Sequence, residues 1–355
     1  MNDGGTELQN DYPLVSVVIP AFNAGATLDE TLRSLRQQTY PNLEVVVVND
    51  GSTDTTAEVL RTHGAWVRTI EQQNAGLPAA RNTGCAAAKG EFIALMDADD
   101  LCEPQRIACQ VRALQHYPLA ALCSSDFSAF DQNGLVADSY GSTYYSKIAE
   151  SVSGLRSLYP TQAQIPNSAA PAHPAGPLAA PLDAYVGNIY AELVHGNFVH
   201  PPTVMFRRKL LDVAGWFDAT LRQTCDWEWI VRASRTGEVV HLAHPLLRYR
   251  ISPAQMSSRN RALATNALEI LRTFDKIVER DPNLMSTHAR SLRTCQGTTC
   301  LDAAYIFADT DKIRAGAFWV RGTYLRRGLD AYAVKVLLRT LFPRWAVAFA
   351  RRVRT

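Results

Sequence analysis

The sequence has no apolar run near the ~18 residues a bilayer-spanning helix requires, no CxxC pair, and no GxGxxG turn after a strand-like segment. The first absence makes a soluble protein the expectation. The amino terminus, MNDGGTELQND, lacks the basic and apolar regions of a secretory signal, so a cytoplasmic location is expected. Seven scattered cysteines, an odd number, do not complete a disulfide framework and fit a reducing compartment as small buried thiols. Without GxGxxG a dinucleotide oxidoreductase is excluded, and AFNAGATL is too poor in glycine for a sugar nucleotidylyltransferase. A net charge of only +2 over 355 residues excludes nucleic acid as the main partner. What remains is an ordinary globular composition, 47% hydrophobic and 20% charged, long enough for one large domain and a smaller appendage.

The first third alternates strand and helix signals. Leu14 to Pro20 and Leu43 to Asn49 are short β-branched runs, a third strand is expected near Trp66 to Ile70, and Phe92 to Met96 is a fourth. Between them, Thr27 to Gln38 places Leu28, Leu32 and Leu35 on one helical face, with Thr27 and Glu30 spaced as a capping box. Further helices are expected from Asp54 to about Thr62, Leu77 to Ala88 and Glu103 to Tyr117. Continuous apolar strands separated by helices imply a mostly parallel, Rossmann-like α/β sheet covered on both faces. Beyond it, residues 159–181 hold six prolines and read as a mobile loop. A helix near Ala184 to His195, a strand at Thr203 to Phe206 and a helix from Asp226 to Arg235 follow. From about Pro253 only helices are expected.

A sheet of this kind binds ligands beyond the carboxyl ends of its strands. Three strands run directly into polar residues there: Asn23 after the first, Asn49-Asp50-Gly51-Ser52 after the second, and Asp97-Ala98-Asp99-Asp100 after the fourth. Asp97 and Asp99 flank one small residue, and two hard oxygen donors suit Mg²⁺ or Mn²⁺ holding substrate phosphates. A solvated acidic turn would look the same, and DxD after an apolar strand also marks a class of phosphatases whose first Asp is a nucleophile. Against the phosphatase, the motif follows the fourth strand rather than the first, and Leu101 stands where Thr or Val would be expected.

Three blocks carry a more specific signal: VSVVIPAFNAGATLDETLRSLRQQTYPNLEVVVVNDGSTDTT, NAGLPAARNTGCAAAKGEFIALMDADD and GWFDATLRQTCDWEWIVRASRTG. In this order and spacing, over roughly Tyr12 to Ile251, the chain resembles the family 2 glycosyltransferases. The resemblance implies the A-type glycosyltransferase fold and inverting transfer of a sugar from a nucleotide-sugar donor, a UDP-sugar above others, to an acceptor hydroxyl in polysaccharide or glycolipid synthesis. Carried over by position, it implies that Pro20, Ala21 and Phe22 lie against the nucleotide base and that Asp50 hydrogen-bonds the base. Arg81 then lies beside the nucleotide, Asp97 and Ala98 contact the donor, and Asp99 ligates Mn²⁺ or Mg²⁺ across the diphosphate. Asp226 takes the place of the catalytic base, followed by the aromatic Trp227; as a plain helix cap it would leave Glu228 as the next candidate. The chain departs from the family pattern at Cys225, where an acidic residue is common, and at Ile251-Ser252 after Tyr249-Arg250, where a His is common. His241 and His244 read as strand or loop residues rather than ligands. A non-catalytic nucleotide-sugar-binding descendant is the main alternative, opposed by the intact Asp97, Asp99 and Asp226.

Residues 1–12 are thus expected to form a flexible terminus, 13–252 the catalytic domain and 253–355 a helical region. From Tyr332 onward there are six basic residues and no acidic one. Residues 334–354 interleave them with apolar side chains, as in two short amphipathic helices. These either lie on an anionic membrane at its inner face, near a lipid-linked saccharide acceptor, or pack on the catalytic domain with a solvated basic side.

Overall fold

The computed structural model of the protein describes residues 12–166, 181–252 and 259–342. The chain divides into two compact units, Met1–Ala219 with Trp229–Ile251, and Thr220–Glu228 with Ser252–Thr355.

The first unit is built on one mixed sheet of β1 (Val15–Ala21), β2 (Leu43–Asp50), β3 (Val67–Gln72), β4 (Phe92–Leu95), β5 (Leu101–Cys102), β6 (Leu122–Asp131), β7 (Gly134–Ala137), β8 (Thr161–Ile165), β9 (Leu182–Gly187), β10 (Met205–Arg207) and β11 (Val239–Arg250). Its order is β3-β2-β1-β4-β10-β6-β11-β9-β8, with β5 paired to β11 and β7 to β6. β3, β2, β1 and β4 are mutually parallel, which is the α/β pattern legible in the apolar runs. β10 runs antiparallel between β4 and β6, so β4 and β6 point the same way and β11, parallel to β6, carries that direction onward. The carboxyl ends of β1, β2, β4, β6 and β11 therefore share one sheet edge. Helices Leu28–Arg36, Thr56–His63, Leu77–Ala87 and Arg106–His116 follow the early strands, and Leu28, Leu32 and Leu35 are buried as their spacing requires.

Four expectations are corrected. Leu182–Gly187 is a strand, where a helix near Ala184 was expected, and only Tyr190–Leu193 is helical. Leu182, Ala184 and Val186 are buried while Asp183 is exposed, so a period of two sets the structure despite the alanine and leucine content. Thr161–Ile165 pairs with β9, so the front of the proline-rich stretch is folded; residues 167–180, like 1–11 and 343–355, lie outside the described residues. Pro201–Thr203 is a 3₁₀ turn and the strand begins at Met205. The capping box at Thr27 and Glu30 does not form: the Thr27 side chain makes no cap, and both side chains turn to other partners described below.

In the second unit, helices Arg259–Arg280, Ala289–Phe307, Lys312–Arg326 and Ala331–Leu341 bear out the all-helical expectation for the described residues. Leu301 and Ala304 pack against Ala333 and Val336, with Tyr305, Phe318 and Trp319 around them. Gly297 and Gly322 let two of these helices meet: a Cβ on either would stand 2.8 Å from the other's carbonyl oxygen.

Candidate functional site

The Asp97-Ala98-Asp99-Asp100 turn leaves the end of β4 and is gripped by backbone and side-chain hydrogen bonds on several sides. From the helix after β1, Thr27 Oγ1 donates to the Ala98 carbonyl at 3.0 Å, and Thr31 Oγ1 lies within bonding distance of the Ala98 and Asp100 carbonyls at 3.1 and 2.8 Å. These threonines are one helical turn apart, so they reach the same target. From the end of β11, Arg250 Nε donates to the Asp99 carbonyl at 2.7 Å and its backbone N–H donates to Asp100 Oδ1 at 3.0 Å. Its Nη2 pairs with Glu30 Oε2 at 2.5 Å, tying the strand back to the Thr27 helix.

The three aspartates thereby separate. Asp100 is fully buried, and burial, with the charges of Asp99 and Asp97 beside it, holds its carboxyl well above the usual range. It is part of the turn's frame. Asp97 is about a third exposed, at 34%, and Asp99 is half-buried. Arg81, on helix Leu77–Ala87, is 2% exposed and donates from Nη2 to Asp97 Oδ1 at 3.0 Å, with its guanidinium 5.9 Å from the Phe217 ring. It is a buried partner of the motif and not the exposed helix arginine that its sequence position also allowed.

Around the ends of β1 and β2, Ala21 is buried, Pro20 is half-buried and Phe22 is 51% exposed, leaving an aromatic face at the strand edge. The following loops are locked together. The Asn23 backbone N–H donates to Ser52 Oγ at 2.9 Å, Thr53 N–H donates to Asn23 Oδ1 at 2.8 Å, and Gly25 N–H donates to Asp54 Oδ2 at 2.9 Å. Asp50 is 3% exposed, and its oxygens accept bonds from the last residue of β3, Gln72 Nε2 at 2.7 Å, and from the loop after it, Ala75 N at 2.8 Å and Gly76 N at 2.9 Å. Asp50 thus orders that loop, a task its position in the sequence did not disclose. Gly51 permits the approach, since φ is +71° and a Cβ there would lie 2.7 Å from the Asn74 nitrogen.

Asp226 falls in the first turn of helix Cys225–Ser234, and its Oδ1 accepts from the Trp227 N–H at 2.7 Å. Within the second unit this helix start is fixed by Glu269, whose Oε1 accepts from the Gln223 and Thr224 amides, and by Thr224 Oγ1 at 2.6 Å from Thr273 Oγ1. Trp227 meets Phe274 edge-on at 5.2 Å. Glu228, the alternative base, is fully buried in an ion pair with Arg280. Nothing in the local sequence signalled Glu269, which is 43 positions beyond Asp226.

The expected divalent ion has a partial donor set. Among the described residues no three His, Cys, Asp or Glu side chains converge as metal ligands. His241 Nδ1 engages Ser124 Oγ at 3.0 Å, and His244 Nε2 accepts from the Asp183 N–H at 3.2 Å, which agrees with their strand role. Asp97 and Asp99 are hard oxygen donors, both partly exposed, on one turn. That fits Mg²⁺ or Mn²⁺, which keep waters and complete their shell with substrate phosphates.

Residues 16–163 match the family described as Glycosyl transferase family 2. Glycosyltransferase GlyA of Streptococcus pneumoniae is 34% identical over 152 residues, 42% of this chain and 22% of that protein. An uncharacterized glycosyltransferase of Rickettsia typhi is 27% identical over 262 residues, 74% of this chain and 70% of that protein. The chain thus spans under a quarter of the first relative's length and just over two thirds of the second's. A solved structure of a mannosyltransferase from Pyrobaculum calidifontis, in complex with GDP-Man and Mn²⁺, superposes with a TM-score of 0.53 at 18% identity, covering 94% of this chain and 88% of that one. At that identity the likeness is one of fold. Motifs, family match and architecture agree: residues 16–163 are a family 2 glycosyltransferase domain, and the fold is the A-type glycosyltransferase fold.

Proposed function

We propose that residues 13–252 form the catalytic domain of an inverting glycosyltransferase, which moves a sugar from a nucleoside-diphosphate donor, UDP-linked above others, to a hydroxyl of a saccharide or lipid-linked acceptor. The observation that carries this is the turn itself. Asp97 and Asp99 stay partly exposed on a loop that Thr27, Thr31 and Arg250 hold rigid, at the sheet edge where β1 also ends in exposed Phe22. Rigid placement of the groups that receive the donor lowers the entropic cost of reaching a reactive geometry.

In this reading Phe22 stacks on the base, with Pro20 and Ala21 forming the backbone wall beneath it. Asp50 shapes the loop at 74–76 whose backbone lies beside the base. Arg81 orients Asp97 toward the donor. Asp97 and Asp99 would hold a divalent ion, which neutralises the charge that develops on the leaving nucleoside diphosphate. Asp226 takes the proton of the acceptor hydroxyl as it attacks. One displacement on the face opposite the leaving group inverts the anomeric centre and needs no covalent enzyme intermediate.

The helical region forms a compact unit of its own. Helix Ala331–Leu341 buries Ala333 and Val336 and leaves Val334, Leu338 and Leu341 exposed, while Arg339 pairs with Asp309 and lies 3.9 Å over the Tyr305 ring. The exposed apolar strip is read as a contact with an anionic membrane surface. No helix of the described residues is long and apolar enough to cross a membrane. The reading is tested by a thermal-shift screen of UDP-, GDP- and dTDP-sugars with Mn²⁺, followed by donor hydrolysis. Stabilisation by one nucleotide family and slow hydrolysis support it; binding without hydrolysis or transfer identifies a non-catalytic descendant, and no stabilisation by any nucleotide refutes it.

A further inference from the structure

A cavity of about 330 Å³ is lined by residues of β6, β9 and β11 and of the stretch 139–155, and no residue of the Asp97–Asp99 turn is in its lining. That volume is at the lower end of the ~300–1,000 Å³ typical of small-molecule sites. Its polar lining residues include Asp126, His200 and His241, together with Ser125, Ser139 and Ser142. Apolar and aromatic walls come from Phe127, Tyr185, Phe198 and Ile148. Both histidines are 5% exposed and each uses one ring nitrogen. His200 Nδ1 is 3.1 Å from the Tyr145 hydroxyl, and His241 Nδ1 is 3.0 Å from Ser124 Oγ. The other nitrogen, Nε2, has no hydrogen-bond partner in either. Buried nitrogens are rarely left so, because their desolvation is then uncompensated, and both histidines belong to the lining of one cavity, which points to a ligand there that supplies the missing bonds.

The chemistry of the lining selects the ligand. Among the described residues that line the cavity none is lysine or arginine, and burial keeps both imidazoles neutral, pushing His200 down to about 3 and His241 to about 4. Asp126 is the one charged side chain of that lining, so a phosphate or carboxylate seated against it would be repelled, although Arg106 and Arg81 act on His200 from outside the lining. Neutral imidazoles, serine hydroxyls and a carboxylate beside aromatic rings match a ring bearing several hydroxyls and an apolar face. The cavity is also linked to the DxD turn. Tyr249 packs edge-on against His200 at 5.2 Å and Phe127 at 6.0 Å, and the next residue, Arg250, holds Asp99 and Asp100.

We propose that this cavity is a subsite for an uncharged sugar ring of the acceptor, held by Asp126, His200 and His241 and separate from the donor nucleotide. This identifies the acceptor class as a neutral saccharide rather than a sugar phosphate, and it rests on the glycosyltransferase reading. The test is to follow the imidazole resonances of His200 and His241 in the full chain while adding methyl glucopyranoside, methyl galactopyranoside, N-acetylglucosamine or glucose 6-phosphate. At least one neutral sugar is expected to shift both residues saturably, with glucose 6-phosphate binding at least tenfold more weakly than that sugar. Asp126→Asn, which keeps an oxygen for the Phe127 N–H bond at 2.8 Å, is expected to weaken the neutral sugar about tenfold, as losing a charge-assisted bond does. Ser142→Trp, at an exposed position on the cavity lining, is expected to abolish the shifts and gives an independent arm if the first variant does not fold. The inference is overturned if no neutral sugar shifts the two histidines, if glucose 6-phosphate binds as well as the best neutral sugar, or if both variants bind as the wild type does. UDP binding with Mn²⁺, measured on the same wild-type sample, separates the two claims. Nucleotide binding without sugar binding refutes the subsite alone, and sugar binding without nucleotide binding refutes the glycosyltransferase reading.

Discussion

Arg250 donates from Nε to the backbone carbonyl of Asp99 at 2.7 Å, so the last residue of β11 fixes the main chain of the proposed metal ligand. The same arginine caps Asp100 Oδ1 through its N–H and pairs with Glu30. A single side chain thus joins the DxD turn, β11 and the helix after β1.

Replacing Arg250 is therefore expected to loosen the turn rather than remove a ligand. Arg250→Lys keeps a charge for Glu30 but loses the planar fork that also reaches the Asp99 carbonyl, and one lost charged hydrogen bond costs ~1.5–3 kcal/mol. Nucleotide affinity in the presence of Mn²⁺ should fall roughly tenfold or more, with a lowered Tm. Titration calorimetry showing affinity unchanged in a folded Arg250→Lys variant would remove this residue from the account.

The base is tested by Asp226→Asn. Asn still offers an oxygen to the Trp227 N–H, as Asp226 does at 2.7 Å, so folding and nucleotide-sugar binding should be near native. Transfer should drop by ~10²–10⁴. Near-wild-type transfer, with the chemical step shown to be limiting, assigns Asp226 to the helix terminus. Glu228 is then a poor substitute, being buried against Arg280.

Burial of His200 and His241 makes stability depend on pH with a definite sign. Above pH ~6.5 both are neutral folded and unfolded, so they contribute no slope. As pH falls below 6.5 the unfolded chain takes up protons that the folded chain refuses until about 4 for His241 and 3 for His200, so stability is lost on acidification. Asp100, with its carboxyl raised, acts in the opposite direction, and comparison with variants isolates the histidines. Between pH 6.5 and 5 the wild type should lose about 2 kcal/mol more per histidine than His200→Gln or His241→Gln, by denaturant titration. Parallel pH curves would show that the imidazoles ionise freely in the folded state.

The exposed strip of Val334, Leu338 and Leu341 gives a surface prediction. Liposome flotation of the full chain should recover more protein with anionic than with neutral vesicles, and Leu338→Glu with Leu341→Glu should abolish the difference. Equal recovery with both vesicle types, or none with either, leaves the helix as a packing element only.

How far the sequence disclosed this molecule depended on who contacts whom. β1, β2 and β4 were readable because a strand buried on both faces is a continuous apolar run, and the DxD turn was readable because it follows one directly. β6 was not, since Ser124, Ser125 and Asp126 interrupt it, and only the structure shows Ser124 spent on His241 one strand away. The roles of Thr27 and Glu30 were misassigned for the same reason. Their spacing satisfies a local cap, but the bonds they make run to Ala98 and Arg250, 71 and 220 positions along the chain. Asp50 also has partners that its type and position did not announce, since its oxygens accept from Gln72, Ala75 and Gly76.

The central claim, that Asp97 and Asp99 carry a divalent ion shared with the donor diphosphate, is tested most directly by calorimetric titration of UDP with and without Mn²⁺ into the wild type and Asp99→Asn. Because the two carboxylates leave most of the metal's shell to the nucleotide and water, Mn²⁺ and UDP should each tighten the other's binding by the same factor, on the order of tenfold or more. Asp99→Asn should lose that coupling while staying folded. UDP affinity in the wild type that is the same with Mn²⁺ and with chelator would contradict the account.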